Sequence, residues 1–357
     1  MISFSIVIPV KPGVVPQAVK RLSPLAQSRE ALELLVAEGT CPSRQRNEAV
    51  RQARGEIVYF LDDDSLVPPD CLQRLAGHFA DPAVAAVGGP SLTPTDDSLL
   101  QRAIGAALAS PLGAGGVCNR YRSTGTVRRT TERELILCNL AVRREVFLAC
   151  GGFDERLYPN EENEFLDRLA ATDSLLLHDP LLTVQRSQRA SLTAFLYQMF
   201  RYGRGRAQQT RIAGVTGIMP FAPLLLLLYL LSLPLLSLPL LSLPLLSLPL
   251  LSLPLLSLPL LSLPLVSLPL VSLPLVSLPL WRIPLLLYAG ILLAAPLFAD
   301  RNTHGRPALL ALPLLIPLLH LANGAGLLAG FLLPMPKRPC YKEGAVTIRR
   351  IPCTGAP

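Results

Sequence analysis

Two acidic clusters in this chain have the residue types and the placement for chemistry on a charged substrate. The first, Asp62-Asp63-Asp64, follows directly on the apolar run Ile57-Val58-Tyr59-Phe60-Leu61, and the second is Glu161-Glu162. Packed acids repel one another unless a cation or a hydrogen-bond donor compensates them. For the triplet, the compensator that fits is a hard divalent metal carried in by a phosphate-bearing substrate. The apolar run reads as a buried strand of a parallel sheet, and open α/β sheets bind ligands at the carboxyl ends of such strands. The plain alternatives are a solvated acidic turn ahead of Pro68-Pro69 and, for the pair, a helix start whose acids complement the helix dipole.

The elements that must position these acids can be read from patterning. Ser3 to Val10 predicts a first strand, Gln17 to Gln27 a helix, and Leu32 to Ala37 a second strand with Glu38-Gly39-Thr40 as its exit loop. Ser43 can cap a helix that buries Ala49, Val50 and Ala53. Gly55 closes that helix, and the strand Ile57 to Leu61 follows. This β-α-β-α-β order is the grammar of a nucleotide-binding layered sheet. Helices over Asp70 to Phe79 and Leu99 to Ala109 and a strand over Val84 to Gly88 come next. Arg120, Arg122, Arg128, Arg129 and Arg133 read as a mobile, positively charged loop or as solvated surface. Ile136 to Val142 predicts a strand, Arg143 to Cys150 a short helix, the Glu161-Glu162 region a further helix start, and Ser174 to His178 a last short strand.

Composition divides the 357-residue chain into unlike parts. It is 50% hydrophobic and only 16% charged, with a net charge of +8. Residues 1–212 hold nearly all the charge and form the expected α/β domain. Residues 213–334 have membrane composition, and residues 335–357 form a basic tail. Arg201, Arg204, Arg206 and Arg211, interleaved with aromatic rings over Leu192 to Arg211, suit a helix at a membrane interface. Basic clusters flanking an apolar region match anionic lipid headgroups or phosphorylated substrates. With no familiar nucleic-acid motif, the reading excludes nucleic acid as a partner.

Leu231 to Leu280 is a tandem pentapeptide, seven copies of Leu-Ser-Leu-Pro-Leu and then three of Val-Ser-Leu-Pro-Leu. A proline every fifth residue opposes a long smooth helix. Such a helix would also run about 75 Å against a hydrocarbon core of about 30 Å. Around it, Gly217 to Leu233, Ile283 to Ala299 and Ala308 to Leu333 are plausible membrane segments. The basic flanks on both sides argue for the cytoplasmic face, which needs an even number of crossings where these segments give an odd one. Met1 to Val10 lacks the features of a signal peptide. The seven cysteines show no ligand or CxxC spacing and read as reduced thiols of a cytosolic compartment.

Taken together, the motifs resemble the family 2 glycosyltransferases of GT-A fold over about residues 3 to 205. The carriers are Ser5-Ile6-Val7-Ile8-Pro9-Val10, Arg46-Asn47-Glu48-Ala49, Phe60-Leu61-Asp62-Asp63-Asp64, Asn139-Leu140-Ala141-Val142-Arg143-Arg144, Gly151-Gly152-Phe153-Asp154-Glu155 and Glu161-Glu162. Each motif alone is common; their order and spacing are not. The resemblance implies a mostly parallel nucleotide-binding sheet with helices on both faces, followed by an α-helical membrane region. It also implies a multi-pass protein of the cell's inner membrane with a cytoplasmic catalytic domain.

The implied activity is inverting transfer of a sugar from a nucleotide sugar, UDP-linked by analogy. The acceptor would be a lipid-linked or polysaccharide molecule near the membrane, with membrane lipids as further partners. By the same resemblance Asp62 and Asp63 face the nucleoside and Asp64 holds Mg²⁺ or Mn²⁺ on the diphosphate. Pro9 shapes the nucleotide pocket wall, Glu38 stands where an acid reads the base, and Asn139 and Gly152 border the sugar sites. The acceptor base falls on the acid pair, at Glu162 or Glu161, where the family has Glu-Asp. Arg44 and Arg46 can approach a phosphate or pair on the helix surface. The Gln-x-x-Arg-Trp signature of processive synthases is not matched, which points to single-sugar transfer. Two rival readings stand beside this one. A nucleotidyltransferase would want a fuller glycine-rich basic loop than Lys11-Pro12-Gly13, and a non-catalytic scaffold has no use for the two acidic clusters.

Overall fold

Alternate side chains along each strand face opposite sides of a sheet, and the central strands here are apolar on both. In the computed structural model, which describes residues 2–19, 22, 32–172, 174–215, 217–236, 282–299, 305–335 and 345–351, strands β1 (Phe4–Val10), β2 (Leu32–Glu38) and β3 (Ile57–Leu61) form the centre. β1 pairs in parallel with both neighbours, Phe4 lying opposite Leu32 on one side and Ile57 on the other. Ile6, Ile8, Tyr59 and Leu61 enter one core; Val7, Val58 and Phe60 enter the other. The first core is closed by helix α2 (Cys71–Phe79) through Leu72, Leu75 and Phe79. The second is closed by α1 (Pro42–Gln52) and, among others, by Phe147, Phe153 and Phe165, whose rings stack around Phe60 with centroids 4.9 to 5.5 Å apart.

The sheet continues through β7 (Asn139–Arg143), β4 (Val84–Gly88), β8 (Leu175–His178) and β6 (Arg128–Arg129), and its other edge is β10 (Thr347–Ile351). The strand order is β10-β2-β1-β3-β7-β4-β8-β6. A small parallel pair, β5 (Ser91–Leu92) and β9 (Val184–Gln185), lies apart. The mostly parallel sheet expected from the sequence is in fact mixed. β7 enters between β3 and β4 antiparallel to both, and β6 and β10 are antiparallel at the two edges. A hydrophobic run fixes burial, not direction, so β7 looked no different from a parallel neighbour.

Three further differences concern charge and cysteine. Residues 345–351 end the described tail by adding β10 to the sheet, with Arg350 3.1 Å from Glu33 and Arg349 3.2 Å from Glu38. The basic stretch after residue 119 is packed in part, with Arg129 and Arg133 exposed. Arg120 is buried and donates to the Glu132 and Arg133 carbonyls, and Arg128 pairs with Glu134 at 2.7 Å. Burial raises the Glu134 carboxyl, but bonds from Arg128, Thr130 and Asn119 outweigh it and bring the group down to about 2. Cys41 is disulfide-bonded, against the expectation of reduced thiols, whereas Cys71, Cys118, Cys138 and Cys150 are free. Sequence spacing is silent about a bridge that the fold closes. Cys340 and Cys353, most of the helix expected over Gln17 to Gln27, and the pentapeptide repeat beyond residue 236 lie outside the described residues.

Helix α3 (Leu99–Ala109) begins at a capping box in which Ser98 and Gln101 satisfy each other's backbone N–H groups. Ile104 and Leu108 pack on Phe195 and Met199 of the long helix α6 (Leu192–Ala213). The apolar region supplies α7 (Ala222–Leu236), α8 (Ile283–Phe298) and α9 (Leu312–Leu332). Among the described residues only α9, with mean hydropathy 1.7, is long and apolar enough to cross a membrane. α7 and α8 are shorter than the roughly 20 residues a span needs. α9 runs alongside α6 at glycine contacts so close that a Cβ on Gly326 would sit 1.9 Å from the Phe200 carbonyl oxygen. Arg211 of α6 donates to the Gly330 and Leu333 carbonyls at the far end of the same contact.

Candidate active site

β1 and β3 end side by side, and their carboxyl ends open into a cleft of about 1120 Å³. Pro9 lines one wall and the whole triplet Asp62, Asp63 and Asp64 lines another. Glu161 and Glu162 line the same cleft from the first turn of α5 (Glu161–Ala170). That turn is set by Asn160, whose backbone is left-handed (φ 88°) and whose side chain donates to Gln209 of α6. Asparagine is one of the few residues that adopts this conformation readily. The two acidic clusters, remote in sequence, therefore face one space.

Arg46 joins them. Its guanidinium lies 3.0 Å from Asp62 Oδ1 and 3.2 Å from Glu161 Oε1, and it is buried. Arg46 is not a helix-surface residue: it is a buried strut lining the cleft, while Arg44 is exposed. Burial pushes the Glu161 carboxyl up, Glu162 beside it adds to the effect, and Arg46 offsets only part because it is shared with Asp62. Glu162 is the less committed of the pair, with Arg120 3.6 Å away. Burial, then Asp64 and Asp62, raises Asp63 in the same sense, with Arg186 acting against them.

Arg186 is the functional residue that the sequence reading missed. It bridges the triplet, 3.2 Å from Asp62 Oδ2 and 2.8 Å from Asp64 Oδ1. Nothing in Gln185-Arg186-Ser187 marks it, since β9 is only two residues long. Glu38 sits behind the cleft at Gly39 and Thr40, accepting from the Gly13 N–H at 3.1 Å and pairing with Arg349. Asn139 and Gly152 are not on the cleft walls. Asn139 is fully buried, accepting from the Tyr59 hydroxyl at 2.7 Å and donating to the Leu182 carbonyl. Gly152 (φ 72°) makes room for Asn47, whose Oδ1 would be 2.7 Å from a Cβ there. Asn47 in turn exchanges hydrogen bonds with Phe153. Both are fold-holding positions.

Asp64 can supply part of the donor set of a hard divalent cation. Among the described residues no three acidic, histidine or cysteine side chains are grouped to hold a metal unaided. Asp64, 45% exposed at the cleft, offers the one or two carboxylate contacts with which Mg²⁺ is held when substrate phosphates supply the rest.

Two acidic clusters thus open into one cleft at the edge of the sheet, and the chain can be set beside known proteins. Residues 19–147 match the family model described as Glycosyl transferase family 2. That segment includes the triplet and stops short of Glu161. The chain is 26% identical over 166 residues to the pre-mycofactocin glycosyltransferase of Mycobacterium tuberculosis, covering 46% of this chain and 34% of that protein. It is 29% identical over 195 residues to the succinoglycan biosynthesis protein ExoA of Rhizobium meliloti, covering 51% and 56%. The chain thus spans between a third and just over half of the curated relatives it matches. A solved structure it is similar to is the mannosyltransferase PcManGT from Pyrobaculum calidifontis in complex with GDP-Man and Mn²⁺, at TM-score 0.42 and 18% identity, covering 62% of this chain and 67% of that one. Another is S. aureus TarS 1-349 in complex with UDP-GlcNAc, at TM-score 0.40 and 14% identity, covering 58% and 66%.

Proposed function

We propose that the protein is an inverting, metal-dependent glycosyltransferase that moves a sugar from a nucleotide sugar to an acceptor at a membrane surface. The observation that carries this is the single cleft into which Asp62, Asp64, Glu161 and Glu162 all open, with Arg46 tying the two clusters together. In this reading Pro9 and the Glu38 end of β2 border the nucleoside, and Asp62 and Asp63 orient it. Asp64 would hold Mg²⁺ or Mn²⁺, which supplies Lewis-acid neutralisation of the departing diphosphate. Glu162 accepts the proton of the acceptor hydroxyl. The hydroxyl oxygen bonds to the anomeric carbon from the side opposite the diphosphate, whose C–O bond breaks to release the nucleoside diphosphate. Glu161 does not touch the acceptor; it holds Arg46 and through it Asp62.

The membrane side of the proposal rests on apolar surface. Leu287 on α8, Leu314 and Leu332 on α9 and Leu225 on α7 are more than half exposed, and Phe298 is 88% exposed. Apolar surface of that extent suits lipid contact, so a lipid-linked acceptor in cell-surface polysaccharide or glycolipid synthesis is the best-supported substrate class. The test is release of nucleoside diphosphate by the purified full chain with Mn²⁺ and a panel of nucleotide sugars. Wild type should release it, and Asp64→Ala and Glu162→Gln should not. Equal release by all three proteins, or no donor bound by any, would end the enzyme reading.

A further inference from the structure

The guanidinium of Arg186 spans the first and third acids of the triplet, and Asp62's other oxygen is taken by Arg46. Both oxygens of Asp62 and one of Asp64 are therefore already neutralised by cations belonging to the chain. An arginine cannot be relieved of its charge by titration in a protein. A divalent ion approaching Asp64 alone meets a like charge on the same carboxylate and must displace it. By formal charge the cleft is balanced: five carboxylates line it against Lys11, Arg46, Arg186, Arg189 and Arg201. A metal by itself unbalances that set in one direction and a diphosphate by itself in the other, whereas the two together nearly cancel. Arg186 is also placed to change partners. It stands in the non-helical stretch between β9 and α6, and guanidinium binds phosphate oxygens in the same two-pronged way as carboxylates.

We propose that Arg186 is a resident counter-cation that latches Asp62 and Asp64 in the donor-free protein and passes to the donor's diphosphate on binding. Metal and nucleotide then bind as a pair, each weakly without the other. This inference rests on reading the cleft as a nucleotide-sugar site, and it names a positioning residue for that site.

The experiment titrates Mn²⁺ into the full-length protein, following free Mn²⁺ by electron paramagnetic resonance, alone and with saturating UDP or GDP. Wild type should bind Mn²⁺ about ten-fold more tightly with the nucleoside diphosphate than without it, the size of an ordinary coupling between sites. Arg186→Gln should bind Mn²⁺ alone about ten-fold more tightly than wild type and lose most of the nucleotide's enhancement. Arg186→Lys, a point charge that cannot bridge both carboxylates, should fall between them, and it serves as the decisive variant should the glutamine form fail to fold. Substituted proteins that bind Mn²⁺ alone no better than wild type, or keep the full enhancement, overturn the latch. Wild type that binds neither UDP nor GDP overturns the nucleotide reading of the cleft instead. The Mn²⁺ titration without nucleotide then judges the latch by itself.

Discussion

The acid triplet and the acid pair share one cleft and one arginine, yet their environments are opposite. Asp62 and Asp64 are 22% and 45% exposed and are held by two guanidinium groups. Glu161 and Glu162 are 3% and 13% exposed, and the more buried of them shares a single arginine with the other cluster. The wetter, doubly paired acids are open to a cation arriving with a diphosphate. Burial pushes the Glu161 carboxyl up, with Glu162 beside it adding to the effect and Arg46 opposing it. In the proposed function the same residue chemistry is divided between a binding station and a proton-transfer station, and the two differ in both solvent access and arginine pairing.

Substitutions can break this division, and the largest effect is expected at Glu162. Glu162→Gln should lower turnover by about 10²- to 10⁴-fold, the usual worth of a general base, while leaving the donor's KM close to wild type. Asp64→Asn should instead weaken Mn²⁺ and donor binding together. Equal loss of donor affinity in both variants would abolish the distinction. Next in size is the shared strut. Arg46→Met leaves Glu161 buried without its partner and should cost about 3 kcal/mol of stability in urea unfolding. Adding Glu161→Gln should recover part of that loss; a further loss in the double variant would show that the charge was not the cause.

The smallest effect is the pH dependence of Glu161. Its folded value lies above its unfolded one, so its contribution to stability is full below the ordinary glutamate range and is lost as pH rises through the raised value. Wild type should therefore lose stability relative to Glu161→Gln, by something on the order of 1 kcal/mol between pH 5 and pH 8. Parallel urea midpoints for the two proteins across that range would mean that Arg46 keeps the group ionised throughout.

Much of this was legible in the chain because it is local. Ile57 to Leu61 is a strand with the acids at its end, Leu99 to Ala109 is a helix to the residue, and Glu161 and Glu162 do start a helix. What stayed hidden is long-range and electrostatic. Arg46 and Glu161 meet across 115 residues, and Arg186 and Asp64 across 122. Arginine on a helix or loop carries no sign of which acid it will find. Asn139 and Gly152 sit inside motifs that look functional, but their side chain and backbone are spent on holding neighbouring loops. Arg349 and Arg350 read as a lipid-facing tail because charges on an edge strand resemble any solvated cluster. Natural sheets often guard their edges with such residues.

Strand β10 changes what the apolar region is. With Arg349 and Arg350 fastened to Glu38 and Glu33, the chain that leaves the body after α6 is stitched back into the same sheet it came from. The stretch from α7 to α9 is then an insertion pinned at both ends, not an appendage with a free end. Because β10 and β2 are neighbours in one sheet, strand β10 and the cleft lie on the same side of any bilayer the protein meets.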